Sequence, residues 1–369
     1  MDMLCVRKDR NGRDYIYYKR RPNEGGVVSV STWFDAKYSA TEHGTALLKK
    51  LFKDSPFSYP KSLHAVTDSI YIGGASKPTA TILDYFAGSG TTAHSVINLN
   101  REDNGNRRYI LVEVGDHFND VLKPRIQKVI YSKDWQDGKP VSREGSSHMF
   151  KYIRLESYED ALNNLQLKRT EDQQSLLDQN DPLREQYMLS YMLDVETAGS
   201  ASLLNIDAFT DPFNYRMNIA RGNETKETVV DLVETFNWLL GIKVLRIGAR
   251  EYRMAEFEHD AEGRLQIKDR PRTCAAGEGW TFKEVEGETL AGDKALVIWR
   301  TLTGNPEQDN LMLDAWFSKR NYSTLDFEFS RIYVNGDNNL ENLKIGEERW
   351  KVALIEEEFK RLMFSMEEA

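Results

Sequence analysis

The sequence predicts an α/β chain, with a strand–helix–strand half-domain in its first 155 residues and a mixed α/β region near its end. Three observations carry this. Thr81 to Phe86 is a short apolar run that gives way to Gly88-Ser89-Gly90 and then to Thr91 and Thr92. That is the order of a buried strand, a tight turn and a capped helix start. A second apolar run, Arg108 to Val112, follows the helix of Thr91 to Leu99 and ends in Glu113. Near the C-terminus the same order returns: Ala295 to Trp299, a helix opened by Asn305-Pro306, and Arg331 to Val334.

Composition sets the outer limits. A chain of 369 residues predicts more than one domain, and 40% hydrophobic with 29% charged residues fits a globular core. Cys5 and Cys274 are far apart and have no histidines at ligand spacing, which excludes a disulfide scaffold or zinc site and fits a reducing cytoplasm. No apolar run reaches membrane-spanning length, and the N-terminus lacks a signal peptide's apolar core. With a net charge of -9, nucleic-acid contact has to come from a local patch.

One such patch opens the chain. Leu4 to Arg7 and Asp14 to Arg20 read as strands around an Asn11-Gly12 hairpin turn. Arg7, Lys8, Arg10, Arg13, Lys19, Arg20 and Arg21 stand against Asp9 and Asp14, interleaved with Tyr15, Tyr17 and Tyr18. Cations that neutralise phosphates beside rings that stack on bases make a nucleic-acid surface. The same residues also suit a solvated hairpin whose tyrosines pack on the neighbouring domain. Strand-like sequence within a few residues of Met1 is what a cut from a longer protein leaves.

Two helices follow. Thr41 to Phe52 places Ala46, Leu47, Leu48, Leu51 and Phe52 on one face. The second opens at Pro60-Lys61-Ser62, continues through Leu63, Val66 and Ile70, and breaks at Gly73-Gly74. Its apolar face is expected to wall the ligand site.

The site itself is the turn. Small residues let a ligand approach the backbone, and free N–H groups at a helix start attract negative charge. Asp84, Phe86, Ala87, Gly88, Ser89, Gly90 and Thr91 are therefore candidate ligand-binding residues, with Glu113 at the next strand's end placed to accept ribose hydroxyls. Asp84 and Glu113 would flank an adenosine-type cofactor. The missing third glycine of G-x-G-x-x-G makes a nicotinamide-dependent oxidoreductase a distant reading.

Asp84-Tyr85-Phe86-Ala87-Gly88-Ser89-Gly90-Thr91-Thr92 resembles the S-adenosylmethionine-binding motif of the amino-methylating DNA methyltransferases, and within them the modification subunit of type III restriction–modification systems. Ser39 to Gly44 and Phe57 to Ser62 are similar to the preceding cofactor-wall motif, which adds Pro60 and Lys61 to the cofactor-binding residues. Asn100 to Asp103, Tyr109 to Gly115 and Leu122 to Ile126 also match, and Glu234 to Gly241 does so more diffusely. The resemblance implies a partial Rossmann-like methyltransferase domain, S-adenosylmethionine as cofactor, and double-stranded DNA as substrate. Adenine as the target rests on the type III resemblance.

In the family the catalytic motif, Asp-Pro-Pro-Tyr or a close variant, precedes the cofactor motif, and the chemistry requires it: an exocyclic amine needs acceptors for its protons and a ring to hold the flipped base. No such tetrapeptide occurs in the 369 residues. Asp211-Pro212-Phe213-Asn214-Tyr215 is the nearest string, but it lies after the cofactor motif. Only Thr81 to Phe86, Arg108 to Val112 and Met149 to Leu155 offer strands for a methyltransferase sheet, and the first is apolar on both faces and needs two neighbours. The expectation is the C-terminal part of a methyltransferase or one subunit of a split one, completed by a polypeptide carrying the catalytic half or by a second copy.

Beyond it, Tyr158 to Leu167 reads as a helix, Thr170 to Asp181 as a polar connector, and Arg184 to Asp194 and Thr225 to Leu240 as amphipathic helices. Lys243 to Ile247, Tyr252 to Phe257 and Leu265 to Lys268 alternate like an antiparallel sheet. Lys351 to Ile355 and Glu356 to Phe364 close the chain as strand and helix. Asp314, Asp326 and Asp337 read as turn and cap residues. This divides the chain into residues 1–30, the end of a target-recognition region; 31–155, the cofactor half-domain; 156–240, helical; and 241–369, an assembly domain. Two functions remain open: the cofactor-binding part of an adenine-specific DNA methyltransferase, or a non-catalytic interaction module of a restriction or defence complex, with a restriction subunit as a further partner.

Overall fold

A computed structural model of the chain describes residues 4–8, 11–18, 32–54, 57–179, 182, 184, 187–188, 192–221, 224–345 and 349–364. The chain divides into two compact units, Met1–Tyr152 and Ile153–Ala369.

The first unit begins with an antiparallel hairpin, β1 (Leu4–Lys8) and β2 (Asp14–Tyr18), in which Val6 faces Ile16 and Lys8 faces Asp14. Residues 41–45 form a π-helical turn that runs into α1 (Ala46–Phe52). Helix α2 (Leu63–Ile70) starts three residues later than Pro60 predicts. Ser62 is its cap, accepting from the Ala65 N–H, and a cap must lie outside the helical dihedrals. Strand β3 (Thr81–Asp84), α3 (Thr91–Asp103) and β4 (Arg108–Leu111) form a parallel unit with Ile82 beside Tyr109 and Asp84 beside Leu111. Helix α4 (Lys123–Tyr131) packs on α3, and a small hairpin, β5 (Trp135–Gln136) with β6 (Lys139–Pro140), follows.

Leu48, Leu51, Ala93, Ile97, Leu122, Ile126 and Val129 fill this unit's core, with Tyr109 and Leu111 against it. The other face of the sheet is open: Leu83, Ile110 and Val112 are about half exposed. Among the described residues β3 pairs only with β4. Residues 149–155 form no strand, contrary to the sequence reading. Met149 and Leu155 are exposed and join no ladder that would fix an extended register.

The return from α3 to β4 is closed by side chains. Asn100 pairs with the Arg107 backbone in both directions, and buried Arg107 donates to Asp103 and to the Ala75 carbonyl. This fixes where β4 starts, and therefore where Glu113 ends up.

In the second unit, α5 (Tyr158–Asn163) and α6 (Glu171–Asp178) both open with capping boxes. The polar stretch read as a connector is thus helical: Thr170 and Gln173 satisfy each other's backbone N–H groups, which compensates for a weak apolar face. The predicted helix at 184–194 falls partly outside the described residues, which include α7 (Met192–Glu196). The long helix predicted from Thr225 is divided. Strand β7 (Arg216–Arg221) pairs with β8 (Glu224–Val229), because Thr225, Thr228 and Val229 favour the pleated backbone. Asp231 then caps α8 (Leu232–Leu239).

The main sheet combines β9 (Lys243–Ile247), β10 (Glu251–Met254), β13 (Arg272–Thr273), β14 (Trp280–Glu288), β15 (Lys294–Arg300), β16 (Arg331–Val334) and β17 (Val352–Leu354), while β11 (Phe257–His259) and β12 (Leu265–Ile267) pair apart. Its order is β13-β10-β14-β15-β16-β17 with β9 also on β14. Strands β15, β16 and β17 are parallel, linked first through α9 (Pro306–Lys319), and α10 (Ile355–Phe364) follows the last. Strand β14, absent from the sequence reading, antiparallel to β15, is the longest of the sheet. Its charged residues Lys283, Glu284, Glu286 and Glu288 mask the apolar alternation.

Phe209, Tyr215, Leu232, Phe236, Val297, Trp299, Tyr333 and Phe359 share one core, so the 156–240 and 241–369 segments contribute to a common interior. Phe236 stands 5.9 Å from Trp299, 5.6 Å from Tyr333 and 5.3 Å from Phe359 by ring centroid. Phe236→Ala is expected to destabilise this unit by about 3–5 kcal/mol, read as a lower urea midpoint with the slope unchanged.

Candidate functional site: the glycine turn between β3 and α3

The two strand ends hold the turn between them. Beyond the ladder, the Val112 N–H donates to the Asp84 carbonyl and the Ala87 N–H to the Val112 carbonyl, which draws the turn over the end of β4. The Gly90 N–H closes it on the Ala87 carbonyl at 2.8 Å. Gly90 is the helix cap and sits at φ 78°, ψ 28°, the left-handed region; a Cβ there would also meet Leu122 Cγ at 3.2 Å. Glycine is required on both counts.

Asp84 works inside the turn. Its Oδ1 accepts from the Phe86 N–H at 3.1 Å and its Oδ2 from the Thr92 hydroxyl at 2.6 Å. The sequence reading has Asp84 flanking a cofactor; in the structure both its oxygens accept hydrogen bonds within the turn. Thr91 and Thr92 do not cap α3, because their side chains turn to Ser89 and Asp84, and no side chain caps this helix start. Its first N–H groups therefore remain for something else.

Glu113 reaches across from β4. Its Oε2 accepts from the Gly88 N–H at 2.7 Å, and its Oε1 from the Gly115 N–H at 2.9 Å. Burial pushes this carboxyl upward, but the Gly115 and Gly88 donors and then His117 outweigh it and hold its pKa below the ordinary 4.5. It is ionised at neutral pH. His117 Nε2 lies 3.4 Å from Oε1, and the Phe57 ring packs edge-on against His117 at 4.9 Å.

Phe57 carries the preceding segment to the turn, with its ring 3.5 Å from where a Gly88 Cβ would be. Pro60 is buried and Lys61 exposed. Pro60 and Lys61 lie tight on Gly44: a Cβ there would come within 2.5 Å of the Pro60 carbonyl oxygen. Phe86, by contrast, presents its ring to solvent.

Behind the turn is a group the sequence reading passed over. Arg125 is fully buried and donates to the Ser89 carbonyl at 3.2 Å, the Ser89 hydroxyl at 3.0 Å and the Thr91 hydroxyl at 2.9 Å, while its other amino group faces His94 Nδ1 at 3.3 Å. Burial pushes the guanidinium pKa down to about 9. His94 is also buried, and burial, then Arg125 and Arg101, hold its pKa well below 6.5. It is neutral and accepts at Nδ1. The signal was available: Arg125 interrupts the apolar stripe that runs from Leu122, the cap of α4, to Ile126 and Val129 within it, where a cation needs a reason.

Of the basic hairpin residues, Lys8 and Arg13 are exposed, and Arg7 lies in β1. Arg10, Lys19, Arg20 and Arg21 lie outside the described residues. The Asp211 to Tyr215 string caps and anchors the second unit's core. Asp211 accepts from the Phe213 N–H, and the buried Tyr215 hydroxyl donates to the Ala201 carbonyl and accepts from the Asn205 N–H. Such a ring cannot hold a base. Among the described residues there is no His/Cys/Asp/Glu group that could hold a metal ion. No helix among them is long and apolar enough to cross a membrane.

Two outcomes follow for this unit. Gly90→Ala is expected to cost about 1–2 kcal/mol in chemical denaturation, from the left-handed backbone alone. His94 is neutral when folded and titrates near 6.5 when unfolded, so stability is full above that pH and falls as pH drops below it, at up to ~1.4 kcal/mol per pH unit. Thermal melts between pH 7.5 and 5.5 should show this decline, and His94→Asn, which keeps an acceptor without the titration, should flatten it.

Residues 8–124 match the model of the DNA methylase family. The chain is 35% identical over 143 residues to the type III restriction-modification enzyme EcoPI Mod subunit of Escherichia phage P1, covering 34% of this chain and 22% of that protein. It is 39% identical over 99 residues to the type II methyltransferase M.KpnI of Klebsiella pneumoniae, covering 27% and 23%. With the EcoP15I Mod subunit of Escherichia coli it shares 39% over 108 residues, covering 27% and 16%. The matched stretch thus spans less than a quarter of the length of each relative. The glycine turn, Glu113 and the start of α4 all lie inside the stretch, residues 8–124, that matches the DNA methylase family model and resembles the type III modification subunits.

Proposed function

We propose that the chain supplies the S-adenosylmethionine-binding part of a site-specific DNA methyltransferase that modifies the N6 amine of adenine. The observation that carries this is the Glu113 carboxylate, held ionised against the Gly88 N–H at the glycine turn. The residues fit this cofactor. A carboxylate at the end of β4 matches two vicinal ribose hydroxyls, and the uncapped start of α3 offers N–H groups to the methionine carboxylate. Only Gly88 and Gly90 allow the backbone path between them. When bound, S-adenosylmethionine supplies an electrophilic methyl group on a sulfonium centre.

The chain's own residues bind and orient. Glu113 would accept from the ribose, exchanging part of its hold on Gly88 and Gly115 for the ligand. Ala87, Gly88, Ser89, Gly90 and Thr91 present backbone, and Asp84 keeps that backbone in shape through Phe86 and Thr92. Phe86 offers an exposed ring at the rim. Pro60 and Lys61 close the near wall with Phe57. The groups that take up the amine's protons belong to an Asp-Pro-Pro-Tyr carried by another polypeptide segment or a second copy. In this reading Lys8 and Arg13, with the other basic residues of the hairpin, meet the phosphates of double-stranded DNA as the end of a target-recognition region. The 241–369 segment serves assembly, and a restriction subunit is a further partner, in the cytoplasm.

Titration calorimetry should detect S-adenosylmethionine binding, and Glu113→Gln should weaken it about tenfold or more, as expected for losing a charge-assisted hydrogen bond. An absence of heat with the unaltered chain would sink the proposal. Incubated with labelled cofactor and unmethylated DNA, the chain alone should transfer no methyl group; turnover would mean the catalytic groups lie within it. Lys8→Ala with Arg13→Ala should lower DNA affinity regardless of sequence and reduce the salt dependence by about one ion per residue.

A further inference from the structure

Arg125 holds a full charge where the fold gives it no counter-ion. Its four contacts are a carbonyl, two hydroxyls and a neutral imidazole. Among the described residues no carboxylate forms an ion pair with it, and its Nε has no partner. Burying an unpaired charge is costly, and this one lies beside the first turn of α3, where the helix dipole is already positive. Both penalties carry the same sign. Both are relieved by an anion arriving at the turn. Neutral donors could tie the same acceptors together at less cost, so the guanidinium has an electrostatic task.

Resting on the reading of the turn as a cofactor site, we infer that Arg125 is a positioning residue for a ligand carboxylate. It braces Ser89 and Thr91 from behind, and its charge makes the turn prefer a nucleoside bearing an amino-acid carboxylate over one lacking it. No contact with the ligand is needed. Attraction exerted through the buried Ser89 and Thr91 is stronger than the same charge would exert in solvent. Glu113 and Arg125 then divide recognition, the first reading the ribose and the second the acid at the far end.

Calorimetry on the full chain tests this with two ligands: S-adenosylhomocysteine and its decarboxylated analogue S-adenosyl-3-thiopropylamine, which keeps the ammonium and the nucleoside. The unaltered chain should prefer the carboxylate ligand by about tenfold or more. Arg125→Gln should abolish most of that preference, weakening S-adenosylhomocysteine about tenfold while moving the analogue by less than about threefold. Arg125→Lys should keep a clear preference because it keeps the charge. Equal weakening of both ligands by Arg125→Gln would reduce Arg125 to a brace and overturn the inference. So would a folded Arg125→Lys protein with no preference, which serves as the test if Arg125→Gln loses its circular dichroism. Equal affinity of the unaltered chain for both ligands would overturn this inference alone, whereas binding of neither would overturn the cofactor reading along with it.

Discussion

The hydrogen bond from the Gly88 N–H to the Glu113 carboxylate ties the glycine turn to the end of the neighbouring strand. Other features of the first unit arrange themselves to permit it. Asp84 bends the chain through Phe86 and Thr92, and Gly90 adopts a backbone that other residues resist. Arg107, pinned to Ala75 and Asp103, sets the start of β4 and so the reach of Glu113. A carboxylate that already accepts from two backbone donors is both preorganised and ionised. It is also partly occupied, so on the proposed reading a ribose would displace donors rather than fill a void. Such an exchange favours ligands whose two hydroxyls replace two hydrogen bonds at once.

The turn also has a back. Arg125 and His94 are buried behind the turn, and the state of His94 depends on Arg125. The imidazole can accept only while neutral, and the nearby guanidinium helps keep it so. Lowering the pH would therefore work against this contact behind the turn. The open face is a different kind of feature. Leu83, Ile110 and Val112 form an apolar surface on a two-stranded parallel pair, an arrangement that in folded proteins is covered on both sides.

In the second unit the parallel ends of β15 and β16 are joined by Arg300, buried and bonded to the Asp309, Asn335 and Asp337 carbonyls. Here the guanidinium is surrounded by acidic groups at moderate distance, and burial moves its pKa only to about 10. The contrast with Arg125 is informative. Arg300 is compensated by the fold; Arg125 is not.

Local pattern determined much of the chain. The β3–turn–α3–β4 order, the Asn11-Gly12 hairpin, the Asn305-Pro306 helix start and the final strand and helix are all short-range signals, set by propensity, caps and turn residues. Glu113 was legible for the same reason, as an acid at a strand's end. Where signals conflicted, tertiary partners decided: residues 224–229 became a strand because β7 lay ready to pair, and 149–155 did not because no edge accepted it. The sequence alone determined that a glycine turn would stand between a strand and a helix, with an acid at the next strand's end. Only the tertiary structure decided that Asp84 shapes the turn, that Thr91 and Thr92 leave the helix start uncapped, and that Arg125 charges it from behind. The Thr92–Asp84 and Arg125–Ser89 contacts join positions 8 and 36 residues apart, a proximity that local pattern does not encode.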